Sequence, residues 1–359
     1  MVYGGIEAVV MNYYRFMDRT QILFDFAVCE DSTFPQRAEL ESLGSRIYLL
    51  PGISSVVKYM TEFKRLVRRN HYQIVHCHMS TLSVFPLYAA WRGGAGVRIC
   101  HNHTTAYRGE GIRALAKYLL RPFCVIFATD YFACSEHAGR WMFGRKAVKS
   151  GRVYVMRNGI DTMRFRYDSA VRERRRAELG VEEKFVVGNV GRFVYQKNHI
   201  FLIDIFNELH KIKSDAVLLM VGEGELQNQI RKRVEELGLS GCVIFYGTSN
   251  GISELYQVMD VFCLPSYFEG LPVVTIEAQT AGLPCIVSYA TSKEAVVSGN
   301  CRRLALQQGA KAWAKEILCA SGGERSEAAE KIKNSGYSVQ ERVKNLTVKY
   351  KNLYEAASR

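Results

Sequence analysis

Short apolar runs alternate with longer amphipathic stretches along this chain of 359 residues, and they do so in two successive series. Runs of this kind suit strands buried on both faces, and the stretches between them suit crossover helices. The alternation predicts an α/β fold of two Rossmann-like domains, each with a doubly wound parallel sheet. Length agrees, since about 100–200 residues per domain gives two.

In the first series the expected strands are Phe24–Val28, Arg46–Leu50, Gln73–Cys77, Gly96–His101 and Tyr131–Cys134. Helical patterns run over Ala8–Met17 and Val56–Arg69, the latter with its basic residues gathered together. The first helix follows directly on Tyr3-Gly4-Gly5-Ile6-Glu7. A glycine pair opening a helix ordinarily ends a strand, so the first domain is expected to lack its opening strand. In the second series the expected strands are Phe185–Val190, Ala216–Val221, Cys242–Tyr246, Val261–Pro265 and Pro284–Ser288, with helices over His199–Lys211, Glu225–Leu237 and Ser253–Met259. This divides the chain into an N-terminal domain of residues 1–165, a C-terminal domain of residues 166–340 and a last helix, 341–359. The crossing falls near Gly159–Asp168, with Asp168–Gly180 as a linker or first helix. Ser321–Glu330 is polar and reads as a loop. Ser338–Glu355 is amphipathic, and it either caps the second domain or returns to the first.

Composition removes several function classes. Apolar residues make up 48% and charged residues 23%, as in soluble globular proteins, which excludes wholesale disorder. No apolar segment approaches the ~18 residues of a spanning helix, and there is no secretory signal pattern. Ten cysteines show no C-x-x-C spacing; Cys77, Cys100, Cys124 and Cys263 lie in apolar runs and read as reduced, buried thiols. These features point to a cytosolic protein, with room for a peripheral position on the inner face of the membrane. The net charge of +13 is concentrated early: residues 1–168 hold 23 basic and 13 acidic side chains, against 25 and 22 in the remainder. A basic first half calls for an acidic partner.

The chemistry-bearing motifs sit mostly in the second half. Gly191-Arg192 through Lys197-Asn198 ends a strand and enters a helix, where open α/β sheets bind ligands, so Arg192 and Lys197 are candidates for phosphate. Val221-Gly222-Glu223-Gly224 is a tight strand-to-helix turn lacking the third glycine of a dinucleotide fingerprint, which speaks against a nicotinamide cofactor. The strongest block is Ser266-Tyr267-Phe268-Glu269-Gly270-Leu271-Pro272, running on to Glu277. Pro272 suits the first turn of a helix. Glu269 then lies in the loop before that helix and Glu277 within it. The backbone N–H groups of Gly270 and Leu271 lie between them, at a helix start that favours an anion. Carboxylates accept from sugar hydroxyls, so the pattern suits a nucleoside diphosphate sugar: ribose at one end, hexose at the other, diphosphate between.

The E-x7-E spacing of Glu269 and Glu277 resembles the signature of the retaining glycosyltransferases of family four. Gly191-Arg192 with Lys197-Asn198, Arg157-Asn158-Gly159-Ile160-Asp161 and Gly4-Gly5-Ile6-Glu7 resemble its other motifs in order. Cys100-His101-Asn102-His103 and Ser292–Val296 are similar to enzymes of capsular and exopolysaccharide assembly. The resemblance implies the GT-B architecture, two Rossmann-like domains facing across a cleft. It implies that Glu277 grips the ribose and Glu269 the donor hexose, that Arg192 and Lys197 neutralise the departing diphosphate, and that Gly191, Gly270 and Leu271 support it. It places Gly5 at the phosphate end and Asn158 among the substrate-binding residues. A first-domain histidine would face the donor sugar, His101 preferred over His103.

No D-x-D pattern occurs, so no catalytic metal and no cofactor are expected. The pair His76 and His78, without a third convergent ligand, reads as strand-end structure rather than a metal site. The expected activity is transfer of a hexose from a nucleotide diphosphate sugar, UDP favoured, to a glycan or lipid-linked acceptor, with retention implied by the family. Two basic stretches, Lys58, Lys64, Arg65, Arg68 and Arg69, and Arg140, Trp141, Phe143, Arg145, Lys146 and Lys149, are expected to meet an anionic membrane surface. A nucleotide-sugar epimerase and a non-catalytic sugar-nucleotide binder are the alternatives; the acidic pair argues against nucleic acid.

Overall fold

The computed structural model describes residues 5–32, 36–105, 111–249, 251–320 and 323–358. It divides into two compact units, residues 1–159 with 339–359, and residues 160–338.

The first unit holds β1 (Phe26–Cys29) and β2 (Ile47–Leu50) as one parallel pair. A four-stranded parallel sheet follows in the order β3 (Ile74–Cys77), β4 (Val97–Asn102), β5 (Asp130–Ala133) and β6 (Val153–Val155). Among the described residues no strand joins the pair to the four. Tyr3 and Gly4, which begin the expected glycine turn, lie outside the described residues; Gly5 opens helix Gly5–Phe16 and is exposed. Helix Val56–Arg69 buries Tyr59, Phe63 and Val67, one residue per turn, and leaves Lys58, Arg65, Arg68 and Arg69 exposed. The last helix, Val339–Ser358, packs on helix Gly5–Phe16. Its Tyr350 lies edge-on to Phe24, with ring centroids 5.6 Å apart.

The second unit carries one six-stranded parallel sheet: β7 (Phe185–Val190), β8 (Ala216–Val221), β9 (Val243–Gly247), β10 (Val261–Leu264), β11 (Cys285–Ser288) and β12 (Cys301–Leu304). The order across it is β12-β11-β10-β7-β8-β9. The central strands β7, β8 and β10 are apolar on both sides. Val186, Val217, Leu219 and Phe262 face one core layer, and Val187, Leu218, Met220 and Cys263 face the other. Helix Ser169–Glu178 is docked at the start of the sheet: Arg172 and Arg176 pair with Asp260, whose carboxylate also accepts from the Val186 N–H at 2.7 Å. The stretch read as a loop over Ser321–Glu330 is helical from Ala328 onward, where Ala329 and Ile332 turn into the core. Cys77, Cys100, Cys124 and Cys263 are all buried thiols.

Candidate active site

The strand order places β7, the first strand of the second unit, beside β10, the fourth. Chain direction across the sheet reverses between them, which opens a crevice beyond their carboxyl ends. Two loops meet there. One runs from Gly191 to Asn198 after β7, and the other from Pro265 to Pro272 after β10.

The loops are tied together by polar contacts. The Asn198 backbone turns left-handed at φ 56°, and its side-chain amide donates to the Pro265 carbonyl at 3.1 Å. The Tyr267 N–H donates to the Gln196 carbonyl at 2.9 Å. From this bridge Lys197 reaches Glu269, Nζ to Oε1 at 2.6 Å, with 14% and 6% of the two side chains exposed. Ser266 Oγ donates to the same carboxylate oxygen at 2.8 Å, and Gln196 Nε2 to the other at 3.2 Å. The structure therefore brings Lys197 and Glu269 into one buried ion pair, each preorganised by the opposite loop. Arg192 is exposed on the first loop.

A third turn packs beneath the first loop. A Cβ on Gly222 would stand 2.1 Å from the Gly191 carbonyl oxygen, and one on Gly224 2.5 Å from that of Phe193. The Phe193 N–H donates to the Glu223 carbonyl at 2.9 Å. The glycines of Val221–Gly224 thus allow two backbones to touch. Lys197 lies across Gly191, where a Cβ would meet its Cε at 3.2 Å.

Helix Val273–Thr280 begins just after Pro272, which occupies the cap rather than the first turn. Gly270 and Leu271 are buried in the loop before it. Glu277 is buried on this helix and accepts from Tyr256 Oη at 2.9 Å. Burial lifts its carboxyl to about 7, against the lowering pull of that hydrogen bond and of Arg164.

In the first unit, Asn158 is buried in a segment whose neighbours hold helix Gly5–Phe16: Tyr13 Oη donates to the Arg157 carbonyl at 2.6 Å, and Asn12 to that of Gly159 at 3.3 Å. His101 lies inside β4 and is fully buried, while His103 follows the strand end and keeps slight exposure. The reading of His76 and His78 as a pair without a third ligand is corrected. One ring nitrogen from each of His76, His78 and His101 lies within 4.8 Å of the other two. The pairing of β3 with β4, His76 opposite Ile99 and Cys77 opposite Cys100, sets the two H-x-H segments side by side.

The basic surfaces also differ from expectation. Trp141 and Phe143 are half-buried, the latter stacked on Tyr131 at 4.6 Å, so these aromatics do not line an open face. The exposed apolar face belongs to helix Ile112–Phe127, where Ile112, Leu115, Leu119, Phe123 and Ile126 project outward. Arg121 of this helix donates to the Trp141 carbonyl at 2.9 Å. The sequence signal was present, apolar residues at helical spacing with only basic charges between them, and it was missed because such a stripe ordinarily faces a core. Among the described residues no helix is long and apolar enough to cross a membrane.

Residues 171–339 match the family model described as glycosyl transferases group 1, and residues 3–164 match that of glycosyltransferase family 4. The chain is 33% identical over 351 residues to a Bacillus subtilis protein named as a glycosyltransferase, EpsF, covering 95% of this chain and 91% of that one. It is 26% identical over 312 residues to the Escherichia coli UDP-Gal:alpha-D-GlcNAc-diphosphoundecaprenol alpha-1,3-galactosyltransferase, covering 83% and 79%. Among solved structures, Anabaena HepE in complex with UDP and glucose superimposes with a TM-score of 0.79 at 19% identity, covering 97% and 96% of the two chains. WaaG, a glycosyltransferase involved in lipopolysaccharide biosynthesis, does so with 0.65 at 16% identity, covering 99% and 95%. These likenesses fix the fold as GT-B.

Proposed function

The chain belongs to the glycosyltransferases, group 1 in its second half and family 4 in its first, and on that premise we propose that it moves a hexose from a UDP-sugar to a lipid-linked or glycan acceptor in the synthesis of a surface polysaccharide. The observation that carries this reading is the buried Lys197–Glu269 pair at the strand-order switch, eight residues before a second buried carboxylate, Glu277. Glu277 would accept from the ribose hydroxyls. Glu269 would accept from the hexose, which requires Lys197 to be shared with the incoming diphosphate. Arg192 and Lys197, with the Gly191, Gly270 and Leu271 backbone, would stabilise charge as it develops on the leaving diphosphate. Preorganisation favours such a role, because both loops are already bonded to one another before substrate arrives.

The anomeric carbon would be attacked by an acceptor hydroxyl as the C–O bond to the diphosphate breaks, with retention on family grounds. A first-unit histidine, His101 or His103, would face the donor sugar; His103 stands past the strand end with residual exposure, and His101 is enclosed. Gly5 and Asn158 remain proposed substrate contacts. No metal is assigned to the diphosphate. The UDP preference is supported by HepE, solved with UDP, and the lipid-linked acceptor by the E. coli relative's name. A peripheral membrane position is supported by the basic face of helix Val56–Arg69 and the apolar face of helix Ile112–Phe127.

A thermal-shift panel of UDP- and GDP-sugars tests the donor. A true donor at about 100 times its Kd stabilises the fold by about 2.7 kcal/mol. Stabilisation by a UDP-hexose above all GDP-sugars is expected. Stabilisation by GDP-sugars alone would move the nucleotide assignment, and no stabilisation by any of them would end the reading.

A further inference from the structure

We infer that His76, His78 and His101 form a binding site for a borderline-soft divalent cation, Zn2+ in the first instance, at the carboxyl ends of β3 and β4. Three imidazoles with no carboxylate among them are a donor set for Zn2+, Co2+, Ni2+ or Cu2+ and a poor one for Mg2+ or Ca2+, which take oxygen. The nitrogens are already gathered. His76 Nε2 stands 3.1 Å from His101 Nδ1, and the three ligand atoms span no more than 4.8 Å. Ligands at ~2.0–2.1 Å around a tetrahedral ion stand about 3.4 Å apart, so closure needs ring shifts on the order of an ångström.

Two further observations point to a ligand. The His101 ring is fully buried with its Nδ1 turned to His76 Nε2, and its other nitrogen, Nε2, has no hydrogen-bond partner among the described residues, so the ring enters the cluster with a polar atom unmet. An orphan of this kind is costly in a ring that could otherwise be apolar. The outer shell is also present. His76 Nδ1 lies 2.5 Å from Tyr350 Oη, and His78 Nδ1 lies 3.0 Å from His103 Nε2. A ligating histidine is oriented by a partner on its other nitrogen in this manner. The rings of His76 and His78 stack, with centroids 4.2 Å apart. His76 and His78 keep partial exposure, which gives an ion a way in. A bound ion would fasten the last helix, through Tyr350 and His76, to the sheet of the first unit. No step of sugar transfer is assigned to it.

The test uses the full chain without a polyhistidine tag, stripped with a chelator and titrated with Co2+, then with Zn2+. One Co2+ per chain is expected, with the visible bands of a tetrahedral nitrogen site that disappear as Zn2+ displaces it. His78→Ala is expected to weaken Co2+ binding by more than about 100-fold and Tyr350→Phe by about 10-fold, the range for an outer-shell partner. The exposed His71→Ala should leave it unchanged. Zinc-edge X-ray absorption on the wild-type chain gives a reading that needs no variant: a first shell with three imidazoles supports the site. A wild-type chain that binds no Co2+, a first shell of oxygen alone, or a folded His78→Ala chain that binds as the wild type does would each overturn it.

Discussion

Lys197→Ala tests the donor site at its most constrained point. The ammonium lies 2.6 Å from a Glu269 oxygen, and both side chains are largely withdrawn from water. Removing one partner of a buried pair costs about 3–5 kcal/mol, chiefly because the other charge stays behind. Here Glu269 keeps its bonds from Ser266 and Gln196, so the lower figure applies, about 3 kcal/mol. For a unit of this size that is roughly 6–12 °C in Tm. If Lys197 meets the leaving diphosphate as proposed, its loss should lower kcat by about 10²–10³, while affinity for free UDP falls less than ~10-fold, since Arg192 and the loop backbone remain. The double variant Lys197→Ala with Glu269→Gln removes the stranded charge and should recover most of the stability and none of the activity. Transfer from labelled UDP-hexose, UDP titration calorimetry and thermal denaturation give the three readings. Unchanged turnover in Lys197→Ala would refute the catalytic assignment, and a double variant no more stable than the single one would refute the ion-pair energetics.

Further outcomes follow from other parts of the molecule. An unfolded chain loses the Glu277 proton near 4.5 while the folded unit holds it to about 7, so this group's stabilising contribution is full below that window and is lost as pH rises through it. At ~1.36 kcal/mol per pH unit, Glu277→Gln should gain about 3 kcal/mol on the wild type between pH 5 and pH 8, measured by urea unfolding; a constant difference would refute the burial argument. Since a carboxylate is the better acceptor for ribose hydroxyls, wild-type UDP affinity should rise with pH through about 7 and that of Glu277→Gln should not. Gly222→Ala, at φ 136° against the Gly191 carbonyl, should cost about 3 kcal/mol or more and displace the first loop, whereas Gly191→Ala meets only the flexible Lys197 side chain and should stay folded. Leu115→Ser with Leu119→Ser and Phe123→Ser should keep its Tm and lose flotation with anionic vesicles; a wild-type chain that does not float at low salt would remove the membrane position.

What the sequence disclosed follows from how the residues are used. β7 and β8 were readable to the residue because Phe185–Val190 and Ala216–Val221 are buried on both faces and interrupted by no charge. β6 and β12 were not: Val153–Val155 is three residues long, and Cys301–Leu304 carries Arg302 and Arg303 on a sheet edge where charges reach water. Glu269 and Glu277 were legible because loop and helix place them by local spacing alone. The histidine site was hidden, since His76 and His101 meet only through the register of two strands 25 residues apart. The exposed apolar face of helix Ile112–Phe127 escaped the sequence for a related reason. Periodicity shows that a helix has an apolar stripe, and only packing shows whether that stripe of Ile112–Phe127 faces a core or water.

The second unit is proposed to hold a sugar nucleotide between the loops that follow β7 and β10. A crystal structure of the chain soaked with UDP-hexose tests it directly. The ribose hydroxyls are expected on Glu277, the diphosphate against Arg192, Lys197 and the Gly270–Leu271 backbone, and the hexose on Glu269. A nucleotide bound elsewhere, or those loops closed on their own side chains with the donor in excess, would contradict it.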